Sequence, residues 1–226
     1  MKSMEYENKE LCSKCGGRCC KKGGCDYYVS DFKSIDKNTI LKVLETGNVS
    51  IVSAFKYEML TNGKKVVVPI LYLRARNEGK KVIDLFSMKK RCSMLTSTGC
   101  SYNLEQRPGG GVNLIPNEKG CKPLNNPLDE LKKWYPYQNL LAKIVKRYTG
   151  KTVDMVLKSD IEEVFYEVLS ENFDGVDKLE IADILECLPD LVECYPEEYI
   201  KAKNRKNNEI KLVRNKWICI FFKNVI

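Results

Sequence analysis

Cys12-Ser13-Lys14-Cys15-Gly16-Gly17-Arg18-Cys19-Cys20-Lys21-Lys22-Gly23-Gly24-Cys25 places five thiols within fourteen residues near the N-terminus of a 226-residue chain. Cysteine alone is a common buried residue that packs as a small hydrophobe. Five of them interleaved with Gly and Lys do not make a core pattern, so the stretch reads as a nest for metal. The chain contains no histidine. A soft-metal site must therefore be built from thiolates, with carboxylates or backbone amides in support.

A second cysteine group lies downstream: Arg91-Cys92-Ser93-Met94-Leu95, then Gly99-Cys100-Ser101-Tyr102, then Arg107-Pro108-Gly109-Gly110-Gly111, then Lys119-Gly120-Cys121. Gly and Pro dominate it, which predicts loop. A glycine-rich loop can wrap an inorganic centre closely and turn its amide N–H groups toward sulfur. The candidate ligands are Cys12, Cys15, Cys19, Cys20, Cys25, Cys92, Cys100 and Cys121. Cys187, Cys194 and Cys219 each stand singly in apolar or helical surroundings and read as packing residues.

Two metals compete for these thiolates. Zinc takes four tetrahedral ligands and usually two Cys-x2-Cys knuckles; only Cys12 and Cys15 form one here. An iron–sulfur cluster also uses four cysteines, and its ligands can come from widely separated parts of a chain. The irregular spacing favours an iron–sulfur cluster of the 4Fe–4S type, with zinc as the alternative. Either one centre or two can be made from eight thiols, and which four ligate is left open.

The combination Cys12-x2-Cys15-Gly-Gly-x-Cys19-Cys20, Cys92-x2-Leu95, Gly99-Cys100 with Tyr102, and Arg107-Pro108 resembles the cysteine-cluster family of zinc- or iron-chelating proteins. It covers residues 12 to 122. Some relatives in that family are flagellin lysine N-methylases. The resemblance implies a metal centre, commonly taken as an iron–sulfur cluster, in a family most of whose members have no assigned activity; the function expected of this chain is to hold such a cluster in a redox or protein-modification role. Many members carry a cysteine shortly after Arg-Pro, where this chain has Gly109-Gly110-Gly111; Cys121 is the nearest replacement. Arg107 would then hydrogen-bond or charge-balance the centre, a loop salt bridge being its alternative role, and Tyr102 would pack.

Other classes are less well supported by the residues. A lysine N-methyltransferase would need a cofactor site, yet no Gly-rich turn follows a strand. The formal charge of +8 raises a zinc-stabilised nucleic-acid module, but Lys and Arg are spread along the chain and their density near the nest has a nearer explanation in an anionic cluster. A protein partner or substrate remains unnamed by the sequence, as does the oligomeric state. The odd cysteine count and the lack of a signal-peptide pattern point to a reducing, cytoplasmic setting. No run of about 18 apolar residues marks a membrane span.

The fold class expected is α+β: a small antiparallel sheet with cysteine-rich loops, then a helical C-terminal half. The organisation expected is a metal-binding region over 1–125, a helical region packed on it over 126–203, and a tail of uncertain order over 204–226. The sheet is predicted from Val49–Ser53, Lys65–Leu73 and Lys81–Asp84, with turns at Asn62-Gly63 and Glu78-Gly79. Pro69 marks a sheet edge or bulge. Asp31 is placed as the cap of a short helix, followed by a helix ending near Gly47. Beyond Pro127, helical periodicity runs to Gly150, then over Thr152–Leu157 and Ser159–Ser170, with Ser159 and Glu162 as a capping box. A further helix over Lys178–Leu188 is expected to end at Pro189, a shorter piece to occupy Leu191–Ile200, and Lys201–Asn208 to be loose. The last apolar stretch would dock as an edge strand or lack order.

Overall fold

The computed structural model describes Gly17 and residues 20–21, 24–76, 81–89, 91–96, 99–101, 104–115, 121–176 and 178–223. The sheet is an antiparallel ribbon of β1 (Cys25–Asp26), β2 (Ser50–Met59) and β3 (Lys65–Ala75), in the order β1-β3-β2. Between β1 and β2 runs helix α1 (Lys37–Glu45). Asp36 caps it by accepting from the Asn38 and Thr39 amides, each at 2.9 Å, which satisfies two of the orphan donors of its first turn. The α+β class is thus as expected.

The β2–β3 hairpin carries full register from Ser50↔Arg74 to Met59↔Lys65. Its loop spans 60–64, and Gly63 adopts φ +78°, the left-handed value for which Asn-Gly is suited. Pro69 lies within β3, opposite Phe55. Leu71, two residues on, turns its N–H and C=O away from β2 toward the Gln138 side chain, at 2.8 and 2.9 Å. Because backbone direction alternates along a strand, Pro69 shares that side, where no ladder partner is needed. The proline therefore sits on an open edge of a strand that is central only where β1 joins it. Gln138 closes the adjoining edge, and Gln138→Ala is expected to destabilise the fold by about 2 kcal/mol, since the Leu71 amide and carbonyl lose their partners; chemical denaturation measures it.

Residues 81–84 do not form the antiparallel strand expected of them. Ile83 makes one isolated parallel bridge to Ile51, with Ile51 N donating to Val82 O at 2.9 Å and Asp84 N to Ile51 O at 3.0 Å. The Glu78-Gly79 turn lies outside the described residues.

The short strands β4 (Leu95–Thr96) and β5 (Gly99–Cys100) pair with each other, as do β6 (Leu114–Ile115) and β7 (Lys122–Pro123). Between the pairs lies α2 (Gly109–Val112), a single turn where loop was predicted. Then come α3 (Pro127–Lys132), α4 (Gln138–Thr149), α5 (Val153–Leu169), α6 (Lys178–Cys194) and α7 (Pro196–Lys223). Asn126 caps α3 with Pro127 at its first position, and Gly150, at φ +69°, ends α4, the stop that the sequence indicates.

Three helical expectations fail for one reason: tertiary contacts outweigh local signals. Thr152 caps α5, and Ser159 stands inside a continuous helix because Val156, Leu157, Ile161 and Val164 bury one unbroken face. Helix α6 runs through Pro189. The proline frees the Leu185 carbonyl, but Leu185 is exposed, so water can satisfy that group. Beyond the proline, buried Leu191 and an ion pair from Asp190 to Lys65 hold the helix on β3. Lys201–Asn208 is helical, not loose. Buried Ala202 permits close approach of α7, Arg205 pairs with Glu163 at 2.6 Å and lies 3.7 Å over the Tyr166 ring, and Lys206 bonds the Leu169 carbonyl. The backbone of the last apolar stretch continues as helix to Lys223, so it is not an edge strand. Among the described residues no helix is long and apolar enough to cross a membrane.

One hydrophobic core joins sheet and helices: Ile40 and Leu44 of α1, Ile51 of β2, Leu71 and Leu73 of β3, Trp134, and the inner faces of α4 and α5. Cys187 and Cys194 pack against it, as their context suggested. On α5, Asp160 reaches out of this layer to accept from the Leu85 and Phe86 amides at 3.0 and 3.2 Å. Burial raises its carboxyl from the ordinary 3.8 to about 6, against the pull of Lys81 and those amides. The folded chain then holds this proton more tightly than the unfolded one, so stability contributed here falls as pH rises between about 4 and 6. Asp160→Asn keeps the acceptor oxygen and is expected to flatten that slope, read from urea midpoints across the range.

Candidate metal centre

The two cysteine-bearing segments meet at the end of β3. On one side Cys25 pairs with Ala75. Gly24, at φ +73°, lets the chain enter: a Cβ there would lie 2.5 Å from the Ala75 carbonyl oxygen. On the other side Arg76, one residue on, bridges Cys92, and the Cys92 amide donates to the Cys20 carbonyl at 2.6 Å. Leu95 closes the contact from above, since a Cβ on Gly17 (φ +76°) would meet its Cδ1 at 2.5 Å.

Arg76 is fixed by burial. Its guanidinium pairs with Asp84 at 2.6 Å, with both side chains almost fully enclosed. Ser50 Oγ braces the Arg76 carbonyl. The Cys92 segment is thereby tied to the rigid hairpin through its bridge partner.

Cys25 and Cys92 are both buried, with Ala75 between them in a small apolar cluster that also takes in Cys20, Tyr27, Met94 and Leu95. Cys92 is the middle thiol of a row. Hydrogen bonds from Cys20 and then Cys25, with further help from the Met94 and Cys25 amides, hold it well below the ordinary thiol range despite burial. Cys25 moves the other way: its hydrogen bond to Cys92 raises it, followed by burial and by the charges of Cys92, Cys20 and Cys100. The hydrogen bonds of the row thus favour the charged form at Cys92 and the protonated form at Cys25. A thiolate is both nucleophile and metal ligand. Cys100, half-buried on β5 opposite Leu95, contributes at longer range.

Helix α2 walls this row. Asp31 lies in a short 3-10 turn, Val29–Asp31, and accepts from the Tyr28 and Gly109 amides, both at 2.8 Å. It therefore caps a helix, but one 78 residues downstream in sequence and not the adjacent one expected. Each glycine of α2 faces a different obstacle. A Cβ would lie 2.5 Å from the Tyr28 ring at Gly109, 2.6 Å from the Asp26 carbonyl oxygen at Gly110, and 2.8 Å from Arg107 Cγ and 2.9 Å from Cys25 Sγ at Gly111. Only an unbranched backbone can press this closely on β1. Arg107 is half-buried, and its stem lies beside Cys25 across Gly111.

Of the eight predicted ligands, the structure brings together Cys20, Cys25 and Cys92, with Cys100 close enough to act on Cys25. Cys121 stands half-buried just ahead of β7. Cys12, Cys15, Cys19 and Tyr102 lie outside the described residues. Among the described residues, no group of three or more His, Cys, Asp or Glu side chains is disposed to hold a metal ion by itself. The donors that the described residues bring together are soft sulfurs, with Cys25 set against the glycines of α2. Sequence reasoning missed Ala75, the pairing of Asp31 with the Gly109 amide and the packing of the three glycines. The one local hint was a triple glycine after Arg-Pro, whose use depends on what it faces. No family model, no curated protein and no solved structure matches this chain.

Proposed function

We propose that this chain binds a thiolate-ligated metal centre, an iron–sulfur cluster of the 4Fe–4S type, clasped between the Cys12–Cys25 loop and the Cys92–Cys100 segment. The observation that carries the reading is one cluster that holds buried Cys25 and Cys92 with half-buried Cys20 packed against them, where hydrogen bonds from Cys20 and Cys25 favour the thiolate of Cys92. Its sulfurs come from segments more than sixty residues apart. A buried thiolate would be expensive to keep for packing alone, whereas it is the form in which cysteine ligates.

Residues outside the row support the same reading. The Cys92-x2-Leu95 and Arg107-Pro108 elements, which carry the resemblance to the cysteine-cluster family, both have neighbours at the row: Leu95 covers Gly17, and Arg107 adjoins Cys25 across Gly111. Arg107 would balance the negative charge of ligated sulfur, and the Met94 and Cys25 amides would donate to Cys92 sulfur. When bound, such a cluster supplies one-electron chemistry. The chain's own residues would bury it, fix its sulfur ligands and set its charge balance.

Anaerobic purification followed by iron, sulfide and zinc assays with a visible spectrum tests the proposal. Iron with matching sulfide and a broad absorption band is expected. Colourless protein with stoichiometric zinc would replace the cluster by zinc in the same thiols, and protein free of both metals would end the reading.

A further inference from the structure

Gly111 and Cys25 share one space. Cys25 Sγ is seated against the bare Cα of Gly111, where an added Cβ would lie only 2.9 Å away. Gly110 cannot retreat to make room, because its own Cα already faces the Asp26 backbone, with a hypothetical Cβ at 2.6 and 2.8 Å from the carbonyl oxygen and amide nitrogen. Asp31 fixes the start of α2 through the Gly109 amide, and Asn113, buried at its end, donates to the Tyr28 hydroxyl at 2.9 Å. The helix is held at both ends and in the middle, so the position of its Cα atoms relative to β1 is set.

We infer that Gly111 is the positioning residue for the Cys25 ligand, and that the two positions are interchangeable sources of one thiol: a sulfur carried by residue 111 and turned toward β1 would come within a bond length of the place where the Cys25 sulfur now sits. The inference rests on the metal-binding reading above. Its physical content is that the centre needs sulfur at a point in space, and that β1 and α2 both reach that point. In this chain β1 supplies the sulfur and α2 supplies the gap. A methyl group at 111 with Cys25 in place overfills the gap and must push either the Cys25 sulfur or the Arg107 stem.

Four proteins test this side by side: wild type, Cys25→Ala, Gly111→Ala, and Cys25→Ala with Gly111→Cys. Metal per chain, the visible spectrum and far-ultraviolet circular dichroism are read for each. Cys25→Ala is expected to lose metal roughly tenfold, Gly111→Ala to lose part of it with a shifted band, and the double variant to regain most of what Cys25→Ala lost. A folded double variant with no more metal than Cys25→Ala overturns the inference, as does a Gly111→Ala protein identical to wild type.

A second measurement needs no metal. In the metal-free single variant Gly111→Cys, copper–phenanthroline oxidation is expected to yield a 25–111 disulfide in the peptide map, because a disulfide places each Cβ about 3 Å from the partner sulfur. Absence of that crosslink overturns the inference even where the double variant fails to fold. Wild type lacking iron and zinc would instead bring down the metal-binding reading itself. That outcome is separate from loss of the crosslink.

Discussion

Cys92→Ser is expected to lower bound metal roughly tenfold, as much as replacement of any ligand in the N-terminal nest. Cys92 is the residue on which the row converges, 2 % exposed, accepting from Cys20 and Cys25 and from two amides. Serine is nearly isosteric, but its oxygen is harder, shorter-reaching and not ionised at neutral pH, so it leaves a soft metal short of a ligand. Cys187→Ser is the control. Cys187 packs on the core from α6 and its replacement is expected to leave metal content unchanged. Cys100→Ser should fall with Cys92→Ser if the clasp reaches β5. Elemental analysis of the purified variants decides, and full metal in Cys92→Ser would show that the nest works alone.

The largest effect on stability is expected from Asp84→Ala. The Arg76–Asp84 pair is almost wholly enclosed, at 3 % and 5 % side-chain exposure, and Arg76 Nε and Asp84 Oδ1 have no hydrogen-bond partner among the described residues. Removing the carboxylate strands a guanidinium in the protein interior, at a cost of about 4 kcal/mol. Arg76 also bridges Cys92, so the loss should reach the thiols and lower metal content in the same protein. Replacing both partners by apolar residues, Arg76→Met with Asp84→Leu, removes the unpaired charge and is expected to recover most of the stability. Denaturant midpoints of the single and double variants give the comparison. An unchanged midpoint in Asp84→Ala would mean that the pair contributes nothing to holding the segment.

Much of the scaffold was legible because it rests on local chemistry. Gly63 and Gly150 take the positive φ angles that few other residues tolerate, and runs of β-branched residues mark β2 and β3. Pro69 announced an edge for the simple reason that it lacks an N–H. The failures are equally physical. Pro189 is a helix breaker only when its freed carbonyl has no water and the next turn has nothing to pack against. Lys201–Asn208 is polar enough to look loose, yet Arg205 and Lys206 find partners on α5 that no local window contains. Asp31 caps a helix whose position in sequence is remote.

The candidate centre divides in the same way. The residue types of the centre were set by the sequence alone: with no histidine and two dense cysteine groups, any soft-metal site is a thiolate site, and the choice of donors follows from composition. Which sulfurs share a space, which of them its neighbours favour in the charged form, and what the three glycines after Arg107-Pro108 face were decided only by the tertiary structure. Proton sharing along Cys20–Cys92–Cys25 and the seat of Cys25 on Gly111 depend on separations of a few ångströms between β1, β3 and α2. Those separations are fixed by the Arg76–Asp84 pair, the Asp31 cap and the core beneath the sheet, interactions between residues that lie 8 to 78 or more positions apart and leave no periodic trace in the chain.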